Sequence, residues 1–185
     1  MNCCQGDCSA CCPSYEQGKP GGAGGKNIKN IVIDFMYLDL EVCDRCRGTE
    51  SVLEEAVMGV AKVLEMTGAE VVINKIHIDS EEKAVQHRFE SSPTVRVNGR
   101  DIQLEVKESL CESCGELCGD QVDCRVWVYN GREYSAPPKA MIAEAILKEV
   151  YGGGRPDGGE AAAEKEYRLP ENLKKFFALR SARKS

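Results

Sequence analysis

The sequence predicts an α/β sandwich: a mixed central sheet flanked by helices, with a cysteine-rich insertion and an extra hairpin. Three observations predict it. A β-branched apolar run (28–40), a helical-period stretch (51–66) and a second strand-like run (70–79) follow one another, an order that implies a right-handed crossover and parallel pairing. Two Asn-Gly dipeptides, Asn98-Gly99 and Asn130-Gly131, each lie between apolar runs, the strongest short signal for an antiparallel hairpin. The third observation is the cysteine distribution. Eleven cysteines stand against two histidines, grouped at 3–12, 43–46 and 111–124, and the last group interrupts the strand pattern.

Each element has its own signal. The run IVIDFMYLDL within 28–40 is apolar enough for a strand covered on both faces. In 51–66, Leu53, Val57, Val60 and Leu64 recur at helical spacing. Ser51 and Glu54 are spaced as a capping box, and Gly68 stands where the helix would stop. The glycine-containing pair Gly48-Thr49 predicts that this helix starts late, which would weaken its dipole's hold on Cys43. A short polar helix is expected over 80–90. Ser92-Pro93 then precedes a strand at 94–97, which Asn98-Gly99 turns into another at 101–106. After the third cysteine group, 125–129 reads as a strand. Pro137-Pro138 opens a helix carrying Met141, Ile142, Ala145, Ile146 and Val150.

Composition supports one core: 185 residues, 42% hydrophobic and 29% charged. Residues 1–26 read as a cysteine-rich tail and a glycine-rich linker (QGKPGGAGGK), 27–151 as the compact domain, and 152–185 as a second glycine-rich linker followed by a basic tail. Residues 160–185 hold seven Lys/Arg and four Asp/Glu, so they carry +3 and leave −9 on 1–159. Leu173, Phe176, Phe177 and Arg180 share one face of a helix starting at Pro170, which suits docking on a partner, on an anionic membrane surface or on the chain's own acidic domain, and the opposite charges favour the last.

The net charge of −6 and the lack of a basic stripe argue against a nucleic-acid partner. No run approaches the ~18 apolar residues of a membrane span, and the first twelve residues have neither a basic start nor an apolar core, so the expected location is cytoplasmic. There, eleven thiols point to redox chemistry or soft-metal binding rather than passive disulfides, and an odd number cannot pair completely within one chain.

Cys43-Asp44-Arg45-Cys46 lies just after a strand and ahead of a helix, where unpaired backbone N–H groups favour a thiolate. Cys43 would attack a disulfide and Cys46 would resolve the mixed disulfide, with Arg45 lowering the Cys43 pKa and Asp44 opposing it. Cys111, Cys114, Cys118 and Cys124 place four thiols in 14 residues. They suit Zn²⁺ in a Cys4 site, an iron–sulfur cluster, local disulfides or a redox relay. Cys3, Cys4, Cys8, Cys11 and Cys12 suit a soft ion such as Cu(I), Hg(II), Zn(II) or trivalent arsenic, or form a plain reduced tail. His77 and His87 have no second ligand at coordinating spacing and read as packing or surface residues, and Trp127 reads as core.

A CxxC between the first strand and helix, followed by Ser92-Pro93-Thr94 before a hairpin, resembles the thioredoxin superfamily over about 28–151. With the cysteine-rich insertion, the chain looks like a group of small prokaryotic thioredoxin-like proteins for which no activity is established. The resemblance implies a thioredoxin-like domain in which Pro93 is cis and Ser92, Pro93 and Thr94 shape a substrate groove beside the CxxC. The Trp-Cys-Gly-Pro-Cys sequence of familiar members is missing. The expected function is thiol–disulfide oxidoreductase, acting on protein thiols and disulfides. The alternative is a thiol-based binding protein or carrier for a soft metal or metalloid.

Overall fold

In the computed structural model, residues 29–152 and 166–184 are described. The expectations for the five N-terminal cysteines, the first linker and most of the second lie outside the described residues. β1 (Lys29–Tyr37), β2 (Ala69–His77), β3 (Thr94–Val97) and β4 (Arg100–Asp101) form a sheet in the order β2-β1-β3-β4. β1 runs parallel to β2 and antiparallel to β3, so the sheet is mixed, as the order of elements required. The insertion and its hairpin add β5 (Lys107–Leu110), β6 (Asp123–Tyr129) and β7 (Arg132–Tyr134), all antiparallel, in the order β5-β6-β7. The architecture is a thioredoxin-like sandwich with an insertion.

Along β1, Ile31, Ile33 and Phe35 are fully buried while Val32 and Asp34 are half-covered, so one face is core and the other is only partly shielded. That core lies under α1 (Asp44–Thr67) and α4 (Lys139–Tyr151). Leu53, Ala56, Val60 and Leu64 of α1 and Met141, Ile142 and Ile146 of α4 join the β1 residues in one apolar cluster. Trp127 belongs to it as well, consistent with its reading as core.

α1 begins seven residues earlier than the Ser51 signal implied. Cys43 caps it, its sulfur accepting from the Cys46 N–H at 3.4 Å. Gly48 does not delay the helix. Instead it lets α1 approach the segment before α4, since a Cβ there would sit 3.3 Å from that of Ala136. Gly68 ends the helix in the left-handed conformation, as its position predicted. The short polar helix is α2 (Glu81–Gln86), capped by Ser80. The strand expected over 101–106 stops at Asp101, whose carboxylate accepts from Gln103 N–H and turns the chain.

The C-terminal helix α5 (Glu171–Lys184) docks on the domain, but less by charge than expected. Leu173, Phe176 and Phe177 are buried beside Met36, Leu38, Ile78 and Phe89. At about 1.5–3 kcal/mol for each such side chain, they outweigh the Arg180–Asp39 pair at 3.1 Å, which is partly exposed and worth about 1 kcal/mol at most. Among the described residues, no helix is long and apolar enough to cross a membrane.

Candidate functional site

Three places in the fold deliver cysteines to one point. Cys43 sits at the N-cap of α1, where β1 has just ended. Cys111 and Cys114 sit at the N-cap and in the first turn of a short helix inside the insertion, α3 (Glu112–Cys118). Cys124 lies near the start of β6. The sulfurs of Cys43, Cys111, Cys114 and Cys124 all lie within 4.8 Å of one another, and those of Cys114 and Cys124 are 3.3 Å apart. All four residues are buried; only Cys111, at 5% exposure, reaches solvent. No disulfide joins the six described cysteines.

A tetrahedral ion with metal–sulfur bonds of about 2.3 Å has sulfurs about 3.8 Å apart, so this set closes on such an ion with movements below about 1 Å. An iron–sulfur cluster interposes irons and sulfides between its cysteines and holds them further apart. The spacing therefore fits a single ion. The site's composition differs from the sequence expectation by one exchange, with Cys43 joining Cys111, Cys114 and Cys124 while Cys118 stays out. Cys118 is buried in the same apolar cluster, but it lies four residues past Cys114, about 6 Å further along the helix axis.

The thiols share charge unequally. Contacts from Cys111, then Cys114 and Cys124, hold the Cys43 thiol well below its ordinary range, against the effect of burial. Contacts from Cys114 and Cys124 lower Cys111 to about 6. Cys114 and Cys124 are pushed up, chiefly by Cys111, and act as the donors. Cys46 is pushed up by its contact with Cys43 and then by burial. Its sulfur lies 3.4 Å from Ser92 Oγ, outside the four-sulfur set.

Arg45 locks the insertion to α1. Its guanidinium donates to the carbonyls of Leu110 (2.7 Å), Cys124 (2.8 Å), Ser109 (3.2 Å) and Arg125 (3.3 Å), and to Ser109 Oγ (2.9 Å). The residue expected to tune Cys43 thus has its donors on the backbone of β5 and β6. Asp44 N–H adds a bond to Ser113 Oγ of α3 at 3.3 Å.

The Ser92-Pro93 bond is cis, as the resemblance implied. Ser92, Pro93 and Thr94 are all buried, and the Ser92 carbonyl accepts from Arg125 N–H of β6 at 2.7 Å. The backbone acceptor expected to face a substrate is occupied by the insertion itself. Ser92 Oγ accepts from Leu38 N–H at 3.1 Å, and Thr94 Oγ1 donates to the Ser91 carbonyl. His77 stacks on Tyr37 and is 3.0 Å from the Leu38 carbonyl, a packing role.

The sequence reading placed Cys43 and Cys111–Cys124 in separate groups. A local signal reached part of this set: Cys111-Glu112-Ser113-Cys114 repeats the CxxC knuckle of Cys43-Asp44-Arg45-Cys46, and two such knuckles would nominate Cys43, Cys46, Cys111 and Cys114, whereas Cys124 takes the place of Cys46. No curated protein and no solved structure matches the chain. A family model described as "Domain of unknown function (DUF2703)" matches residues 31–146, from β1 into α4, and so spans both knuckles and Cys124. Covering more than half of the chain, that match means that this Cys-rich α/β protein belongs to the DUF2703 family.

Proposed function

We propose that the protein binds one thiophilic metal ion through Cys43, Cys111, Cys114 and Cys124, as a thiol-based binding protein or carrier. The observation that carries this reading is the convergence of four buried sulfurs within 4.8 Å of one another. Four thiolates suit a tetrahedral d¹⁰ divalent ion such as Zn²⁺ better than trivalent arsenic, which takes three sulfurs. The resulting centre would carry about −2, and the Arg45 guanidinium and the N-terminus of the 24-residue α1 supply compensating positive charge. The functional unit is the 27–151 stretch with α5 docked on it, and a reducing compartment such as the cytoplasm would keep the thiols available.

Titration of the reduced full chain with Co²⁺ tests this reading, with Ser in place of Cys3, Cys4, Cys8, Cys11 and Cys12. One Co²⁺ per chain with a tetrahedral, thiolate-rich absorption spectrum is expected. No uptake would overturn the reading.

Thiol–disulfide exchange by a member of the thioredoxin superfamily is the second reading. It is favoured by the Cys46 N–H bond to Cys43 Sγ and by Ser92-Pro93 beside Cys46. It ranks second because Cys43 is fully buried and the Ser92 carbonyl is already bonded to β6, so a protein disulfide has no open groove in this arrangement.

A further inference from the structure

Cys43 belongs to two sets at once. It is one of four sulfurs that close on a single ion, and it is the first member of a pair whose second member, Cys46, stands outside that ion's reach. A sulfur in a disulfide is no longer a thiolate ligand. The four-sulfur site and a Cys43–Cys46 disulfide therefore exclude each other. The covering of the pair has the same cause: α3 and β6 lie over Cys43 and Ser92 while bringing in Cys111, Cys114 and Cys124. Lifting the insertion would expose Cys43 and dismantle the metal site in one movement.

Resting on the metal reading above, we propose that the bound ion is a clasp holding the insertion shut over a redox pair, and that an organic disulfide is the co-reactant that opens the metal-free form. In that form the Cys43 thiolate attacks one sulfur of a disulfide RSSR. The S–S bond breaks, Cys43–S–S–R forms and RS⁻ leaves. The Cys46 thiol gives its proton to that RS⁻, making RSH, and its sulfur attacks Cys43 Sγ. The mixed disulfide breaks, a second RS⁻ leaves and the Cys43–Cys46 disulfide remains. Two electrons pass from the pair to RSSR. The pair can then no longer supply a fourth ligand, so oxidation and metal retention are reciprocally linked. The ligand cysteine nearest solvent, Cys111, lines a surface cavity of about 490 Å³ with Leu110, Glu112, Gly115 and Val122.

Equilibration in glutathione buffers tests the proposal, using the full chain with the five N-terminal cysteines changed to Ser. Thiols are trapped by alkylation, the Cys43–Cys46 disulfide is mapped by mass spectrometry, and bound zinc is measured in the same samples. At free Zn²⁺ about 100 times its Kd, the ratio of oxidised to squared reduced glutathione that half-oxidises the pair should rise about 100-fold over the chelator-treated protein. Cys124→Ser, and independently Cys114→Ser, keep the pair but lose a ligand, and should abolish the shift. An unchanged ratio in protein that binds zinc would overturn the clasp and leave the metal reading standing. Failure of the reduced protein to bind zinc would overturn both.

Discussion

Two segments of this chain have the same spacing and different fates. Cys43-Asp44-Arg45-Cys46 and Cys111-Glu112-Ser113-Cys114 each follow a strand, put their first cysteine at a helix N-cap in extended backbone and place an acidic residue next. Cys111 and Cys114 both enter the four-sulfur set, whereas only Cys43 of the first pair does. The helices explain the difference. α3 is a seven-residue element lying across β6, so its first turn meets Cys124. α1 packs along the sheet for 24 residues, and its first turn carries Cys46 inward to Ser92. CxxC spacing sets the distance between two sulfurs; what the second sulfur faces sets their chemistry.

Breaking that asymmetry should give the largest effect. Cys114→Ser should weaken zinc binding by more than about 100-fold, since even partners outside the first coordination sphere are worth roughly 10–100-fold. Cys46→Ser should leave affinity near that of the parent, both measured by competition with a chromogenic chelator. Equal losses would erase the distinction between the two pairs. Acid comes next. An ion binds thiolates and must displace their protons, so affinity should rise with pH and fall by about tenfold or more from pH 7 to pH 6. A flat profile would mean that the thiols are not the ligands.

The clamp between the two segments follows. Arg45→Lys keeps the charge but cannot reproduce a planar fork across Ser109, Leu110, Cys124 and Arg125, so zinc affinity should drop roughly tenfold while the ion stays four-sulfur coordinated. Ser92→Ala gives the smallest effect on metal. It leaves Leu38 N–H without its side-chain acceptor and should cost about 1–3 kcal/mol in urea unfolding of the metal-free protein, with zinc affinity unchanged. A fall in affinity matching that of Arg45→Lys would bring the Cys46 side into the metal site.

Much of the fold was legible because its signals are local. The β1–α1–β2 order followed from apolar periodicity. The turns at Asn98-Gly99 and Asn130-Gly131 followed from residues that tolerate positive φ, and all four adopt it (49°, 78°, 51° and 73°). The start of α1 was not legible, because its cap is a cysteine sulfur and Gly48 serves a tertiary contact with Ala136, while the Ser51–Glu54 pattern fell inside the helix. α3 gave little helical periodicity to read, because its seven residues include Gly115 and two cysteines and it ends against Gly119. The site was half legible: Cys111, Cys114 and Cys124 clustered in sequence, but the exchange of Cys118 for Cys43 depends on β6 pairing across to Ser92, a contact between residues 33 positions apart. The docking of α5 was anticipated from charge and is carried by Leu173, Phe176 and Phe177.

The most direct test of the four-sulfur centre is X-ray absorption at the zinc edge of the zinc-loaded full chain, with Ser at the five N-terminal cysteines and at Cys46. Four sulfurs at about 2.3 Å are expected. A shell with nitrogen or oxygen in place of one or more sulfurs would contradict the assignment of Cys43, Cys111, Cys114 and Cys124 as a single ligand set.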